Sequence, residues 1–400
     1  MFDASGGGPE PEPPKPADIV VEDGRILEVG PGLDGDEAID CAGKTLIPGL
    51  FDCHTHVMVS QYDMWKMAQT PFSLQFFEAA KNLEATLDIG ITTVRDAGGA
   101  DLGVKTAVGQ GLVNGPRMQI AIAMLSQTGG HADKWMVCGA GFPTPFGTPH
   151  PGRPASIVDG PEEMRKKVRE LIRAGADVIK VATSGGVLSP RDDPRHGHFR
   201  DDELDALVAE ASAMGRRVMA HAQATDGIKA AIRAGIRSIE HGIYLDDEAI
   251  EMMLDRGTYL VPTLMAPRGV IDMAAAGAHV VEESLRKAEM VIESHDQSIA
   301  RAVAAGVKVA MGTDSGVTPH GQNLRELPLM VDRGMTPAQA LVATSRTASE
   351  LLGVEAELGT LEPGKRADIV VVAGDALEVD KLPERIEAVW MDGEQVVDHS

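Results

Sequence analysis

Two periodicities alternate along the chain. Short apolar runs, many of them β-branched, fall at "TLIPGLFDCHTH", "ITTVRDAG", "RMQIAIAMLS", "DVIKVATSG", "RRVMAHAQ", "SIEHGIY", "YLVPTLM" and "VKVAMGTDS". Each reads as a strand. Between them lie stretches with helical spacing, such as "DGPEEMRKKVRELIRAGA" and "RDDELDALVAEASAMG". Both stop at a glycine or a Gly-Ala step, a natural C-terminal cap. Eight strands alternating with helices predict an α/β chain folded as a (β/α)8 TIM barrel over residues 49–355. The rival is an open doubly wound sheet. Against it, no GxGxxG opens a helix after the first strand.

The two ends carry a different pattern. Residues 4–16 are rich in Gly and Pro and read as a loop. "ADIVVEDGRILEVG" then reads as two short strands about an Asp-Gly turn, and "ADIVVVAGD" with "EAVWMDGEQVVD" repeats the pattern near the other end. Residues 1–48 and 356–400 are therefore expected to build one small β unit, with the barrel inserted between its halves.

Composition narrows the function. A formal net charge of −23 opposes nonspecific nucleic-acid binding, which draws on clustered Lys and Arg. No apolar run approaches the roughly 18 residues of a membrane span. "MFDASGGGPEPEPPKPAD" has neither the basic start nor the apolar stretch of a signal peptide, so a cytoplasmic location is the default expectation, with a native leader ahead of this sequence left open. Cys41, Cys53 and Cys138 show no CxxC spacing and no disulfide framework.

The chemistry lies at strand ends. The first strand carries His54 and His56, two apart and so on one face. The fourth carries Lys180, the fifth His221, the sixth His241 and the eighth Asp314. A lone buried histidine is more often a hydrogen-bonded structural residue than a ligand, and "GTDSG" alone is compatible with a turn. Their joint placement is the signal, because strand C-termini converge on one mouth of a barrel. Lys180 stands out. An ammonium would repel cations, but burial lowers a lysine's pKa, and a neutral amine can take up carbon dioxide. The resulting carbamate is a two-oxygen anion able to bridge two metals. The plainer reading is a lysine snorkelling to water.

These residues resemble the metal-dependent amidohydrolase superfamily over nearly the whole chain: "PGLFDCHTH", the strand-borne lysine and two histidines, "GTDSG", then "LGTLEPGKRADIVVV". The ligand set matches the two-metal branch with a carbamylated lysine. "SQTGGHAD" and "EHGIYLDD" are similar to the imidazolonepropionase-like group, which contains Xaa-Pro dipeptidases (prolidases) and Lys/Arg carboxypeptidases. The resemblance implies a small β-sandwich domain from the two ends, its first strand shortened here. It also implies one metal on His54, His56 and Asp314, a second on His221 and His241, and carbamylated Lys180 bridging them. Zinc is the expected ion, since imidazole suits it.

On this reading two cations activate water, Asp314 is the general base, and Tyr244 and His131 are donors to the substrate. The expected substrate is a small molecule or a dipeptide, with no nucleic acid and no membrane as partner, and a homo-oligomer is expected. Arg153, Arg191, Arg195 and Arg200 are open candidates for a substrate carboxylate. The apolar, Met-rich "YLVPTLMAPRGVIDMAAAGAHV" tips the leaving residue toward proline over Lys or Arg. A lactonase, cyclic amidase or deaminase on the same site, a non-catalytic scaffold and a metal- or peptide-binding protein are the alternatives.

Overall fold

A computed structural model describes residues 1–6, 11–60, 62–135, 139, 150–189 and 191–399. Cys138 lies outside the described residues. The chain starts with an antiparallel hairpin, β1 (Asp18–Glu22) and β2 (Arg25–Gly30). Its Asp23-Gly24 turn has positive φ at both residues (49° and 77°), the backbone that an Asp-Gly pair tolerates best. β3 (Lys44–Pro48) follows, then β4 (Leu50–Thr55).

The run "TLIPGLFDCHTH", read above as one strand, is thus two strands in two sheets. The break is Gly49. A Cβ there would lie 2.3 Å from Thr92 Oγ1 and 2.9 Å from Asp368 Cβ, so only glycine lets the chain pass between the sheets.

The barrel is built from parallel strands. β4 pairs with β5 (Ile91–Asp96), and β5 with β6 (Arg117–Ile120). β7 (Met124–Leu125), β8 (Val178–Ala182), β9 (Arg217–Ala222), β10 (Ser238–His241) and β11 (Tyr259–Val261) form a second run in that order. "RMQIAIAMLS" is therefore one barrel position split in two, with Ile122 at φ 66° in the break. β6 faces β5 and β7 faces β8.

The eighth position, "VKVAMGTDS", forms no regular strand, yet it closes the ring. Leu260 N–H donates to Lys308 O and Ala310 N–H to Leu260 O, while Cys53 N–H donates to Met311 O, each at 2.9 Å. Helices cover the outside. Pro161–Arg173 buries Met164, Val168 and Leu171, and Asp201–Ala213 buries Leu204, Leu207 and Ala211, each set at helical spacing.

β12 (Ile369–Ala373), β13 (Ile386–Met391) and β14 (Glu394–Asp398) return to the start of the chain. They make a four-stranded antiparallel sheet in the order β14-β13-β12-β3. Ile26 N–H donates to Lys365 O and Gly364 N–H to Ile26 O, which joins the β1–β2 hairpin to the same end. Met1 and Phe2 are buried beside β3, with Phe2 N–H on Leu46 O. No helix among the described residues is long and apolar enough to cross a membrane.

Candidate metal centre

β4 ends at Thr55, so His56 lies one residue beyond it. His54 is held through Nδ1 by Glu240 Oε2 at 2.8 Å, and His56 through Nδ1 by Gly98 O at 2.7 Å. Both rings therefore aim Nε2 at one point. Asp314 Oδ1 lies 3.1 Å from His56 Nε2 and 3.6 Å from His54 Nε2. One ligand atom from each of the three lies within 4.8 Å of the others. Asp314 itself has φ 61°, with its N–H on His54 O at 2.7 Å. His241 has φ 73°. Left-handed backbone at two non-glycine residues costs about 1–3 kcal/mol each and is found where a side chain must be aimed.

Lys180 Nζ is 3.4 Å from His54 Nε2 and almost fully buried. His241 sits beside it, its ring 5.1 Å from that of His54 and 4.6 Å from that of His221. His241 Nδ1 is fixed by Thr263 Oγ1 at 2.7 Å, and His221 Nε2 by Gly185 O at 3.1 Å. Each of the four histidines thus has one nitrogen on a fixed partner, the usual arrangement around ligating imidazoles, and the second nitrogens of His54 and His56 meet Asp314.

The electrostatics agree. Burial, and then the neighbouring Lys180 or histidines, hold His54, His221 and His241 well below the usual imidazole range, so all three stay neutral. Burial pulls Lys180 down to about 8, against Glu240 and Asp314, which favour its charge. Burial pushes the Asp314 carboxyl up, but His54, His56 and Lys180 outweigh it and hold it below its ordinary value. Burial pulls His56 down as well, but its hydrogen bond to Asp314 outweighs this and holds it above its ordinary value. Three neutral imidazoles, a fourth paired with an ionised carboxylate, and an amine partly deprotonated near neutral pH are a donor set that fits divalent cations.

The cluster forms the floor of a cavity of about 380 Å³. His131 lines it, stacked on His221 with ring centroids 4.1 Å apart and planes 14° apart. Tyr244 is not among the described lining residues. It is half-buried in an apolar cluster with Ile243 and Val270, and its backbone is tied to Gln223. Tyr62 is the tyrosine that lines the cavity. Of the four candidate arginines, Arg191 lines it, its guanidinium 4.8 Å from the Trp135 ring centroid. Arg153 donates to Gly99 O, Arg195 pairs with Asp193, and Arg200 caps a helix.

The apolar segment after β11 becomes the helix Met265–Ala275. Its Ala266, Pro267 and Val270 face the cavity, while Met265 and Met273 are buried.

Several residues escaped the sequence reading. Glu240, fully buried, takes hydrogen bonds from Arg95 at 2.9 Å and Ser238 at 2.5 Å while holding His54. Its place one residue before His241 was the available signal. Lys134 also lines the cavity, its pKa lowered to about 7 by burial and then by the Arg153 charge.

The family model described as "Amidohydrolase family" matches residues 45–396. An ochratoxinase of Aspergillus niger is 36% identical over 406 residues, covering 96% of this chain and 83% of that protein. The crystal structure of an Xaa-Pro dipeptidase with methionine in its active site superposes with a TM-score of 0.87 at 32% identity, covering 98% of this chain and 97% of the other. A prolidase complexed with N-methylphosphonate-L-proline gives 0.87 at 35% identity, covering 96% and 95%.

Proposed function

The chain belongs to the amidohydrolase family and is a hydrolytic enzyme; from that premise we propose that it is a binuclear metal-dependent hydrolase of the amide bond in dipeptides or N-acyl amino acids, Xaa-Pro dipeptides first among them. In this reading His54, His56 and Asp314 would hold one cation and His221 and His241 the other, with Lys180, as its carbamate, a ligand available to both. The carbamate forms when Nζ adds to carbon dioxide and gives up a proton. The cations supply Lewis acidity and an activated water at neutral pH.

The protein's own groups do the rest. Asp314, ionised and aimed by its left-handed backbone, accepts the proton of the attacking water and passes it to the leaving nitrogen. His131, stacked on His221 at the cavity wall, donates to the substrate. Tyr244 stays a proposed second donor, reaching the oxyanion only if the rim around it closes on substrate. Arg191 and Lys134 meet the substrate carboxylate.

The observation that carries the choice of leaving residue is the state of the acids around the cavity. Asp133 accepts from Gly129 N–H and Trp135 N–H, Asp192 is tied to Ser189 and Lys287, and Asp314 belongs to the metal cluster. Each lining acid among the described residues is thus engaged, so a leaving Lys or Arg finds no spare carboxylate. Apolar Val187, Leu188, Ile243, Pro267 and Val270 suit proline or another apolar residue.

A panel of Xaa-Pro, Xaa-Lys and N-acyl-phenylalanine substrates, offered to zinc-loaded protein beside lactones and cyclic amides, tests this. Xaa-Pro or N-acyl apolar amino acids are expected to turn over at least tenfold faster, by kcat/KM, than Xaa-Lys. A preference for Xaa-Lys, or for lactones, overturns it.

A further inference from the structure

We infer that Lys287, on the long helix Glu282–Ala305, is a positioning residue for the reaction: it locks Gly186, Ser189 and Asp192, which hold the His131 ring against His221. The inference rests on the reading of His131 as a substrate donor and adds to it the device that places the ring.

Lys287 is 2% exposed. A buried ammonium is costly unless it is fully engaged. Here it is: Nζ donates to Ser189 O at 2.7 Å, to Gly186 O at 3.3 Å and to Asp192 O, and lies 3.3 Å from Asp192 Oδ1. Three carbonyls therefore converge on one cation, which fixes where Gly186, Ser189 and Asp192 stand. These residues in turn fix His131. Ser189 Oγ lies 2.7 Å from His131 Nδ1 and donates to Asp192 Oδ1, so that ring nitrogen is held by Ser189 and Asp192. Asp192 Oδ2 lies 3.4 Å from the same nitrogen and takes Gly186 N–H at 3.2 Å. The ring edge packs on Gly186, where a Cβ would lie 2.3 Å from His131 Cε1.

Three elements distant in sequence meet here. The helix 282–305 supplies the cation, the loop after β8 supplies the clamp, and the loop after β7 supplies the ring. Nothing else in the mechanism uses Lys287, and a lysine that only closed a helix onto the barrel would not need to gather the carbonyls of the residues that grip a cavity-lining histidine.

The test is a double-mutant cycle on His131→Ala and Lys287→Met, read by kcat and KM on the dipeptide hydrolysed best, with metal content measured in parallel. Lys287→Met is expected to lower kcat at least tenfold, with KM and metal content changed by less than threefold. Lys287→Arg is expected to recover part of the loss. The double variant should be no slower than His131→Ala alone. Additive losses, or wild-type kcat in Lys287→Met, overturn the inference. Wild-type kcat in His131→Ala overturns it together with the donor role. If Lys287→Met does not fold, Ser189→Ala takes its place in the cycle with the same expected non-additivity. A crystal structure of whichever variant folds gives a readout free of turnover: the His131 ring should leave its stack on His221, and a ring still 4.1 Å from His221 contradicts the inference. Failure of the wild type to hydrolyse any dipeptide would sink the functional reading alone.

Discussion

Glu240 shows what a single residue does at this site. Its carboxylate is buried, bridges Arg95 and Ser238, and grips His54 Nδ1. Replacing it by Gln keeps the shape but removes the charge that Arg95 faces and weakens the hold on the ring. Partners of this kind are worth about 10–100-fold in metal affinity. Glu240→Gln should therefore bind zinc at least tenfold more weakly in a chelator competition, and unchanged affinity would show that His54 needs no such anchor.

The six residues of the candidate centre could be read from the sequence because their types are unusual at strand ends. Arg95 could not, because a polar residue within a strand looks alike whether it faces a ligand or water; Thr263 lies past the end of β11, and Glu240 was marked only by its place next to His241. Tyr244 illustrates the converse. Its position after His241 looked suited to the mouth, but the backbone turns at His241 (φ 73°) and the side chain packs with Ile243 and Val270.

Among the elements, the alternation of strand and helix was legible because two periodicities differ enough to be told apart. The joints were not. "TLIPGLFDCHTH" looks continuous because both strands are apolar, and only contacts from Thr92 and Asp368 show why Gly49 must divide them. The split at Ile122 is likewise invisible, since a β-branched residue at φ 66° runs against local preference and is held by the surrounding barrel. The eighth position lacks a regular ladder because "GTDS" must bend to present Asp314. Gly49→Ala should cost about 1–3 kcal/mol by overpacking the junction of the two sheets. Chemical denaturation checks this, and a variant as stable as the parent would show that the joint relaxes freely.

Over the whole molecule, burying neutral histidines couples folding to pH. His295 is fully buried, donates to His241 O and Pro262 O, and is pushed down to about 4 by burial. Unfolded, it titrates near its ordinary value of about 6.5. Above that pH both states are neutral and the stability is fully present. Below it the unfolded chain takes up a proton that the folded chain refuses, so stability falls as pH drops from about 6.5 to 4. The loss from this residue is on the order of 3 kcal/mol, and His54, His221 and His241 act in the same direction. Urea denaturation of metal-free protein should show a falling midpoint across that window, whereas a flat profile would mean that the folded state accepts these protons. The acidic composition and the closed barrel fit a small-molecule enzyme, and neither could have indicated a substrate, because the proposed preference rests on an apolar wall assembled from segments far apart in sequence.

Crystals of the zinc-loaded protein, measured for anomalous scattering at the zinc edge, test the proposed binuclear centre most directly. Two peaks are predicted, one about 2 Å from nitrogens of His54 and His56 and from Asp314, the other the same distance from His221 and His241, with electron density for a carboxylate group on Lys180 Nζ reaching both. A single peak, or two peaks beside an unmodified Lys180, would contradict the account.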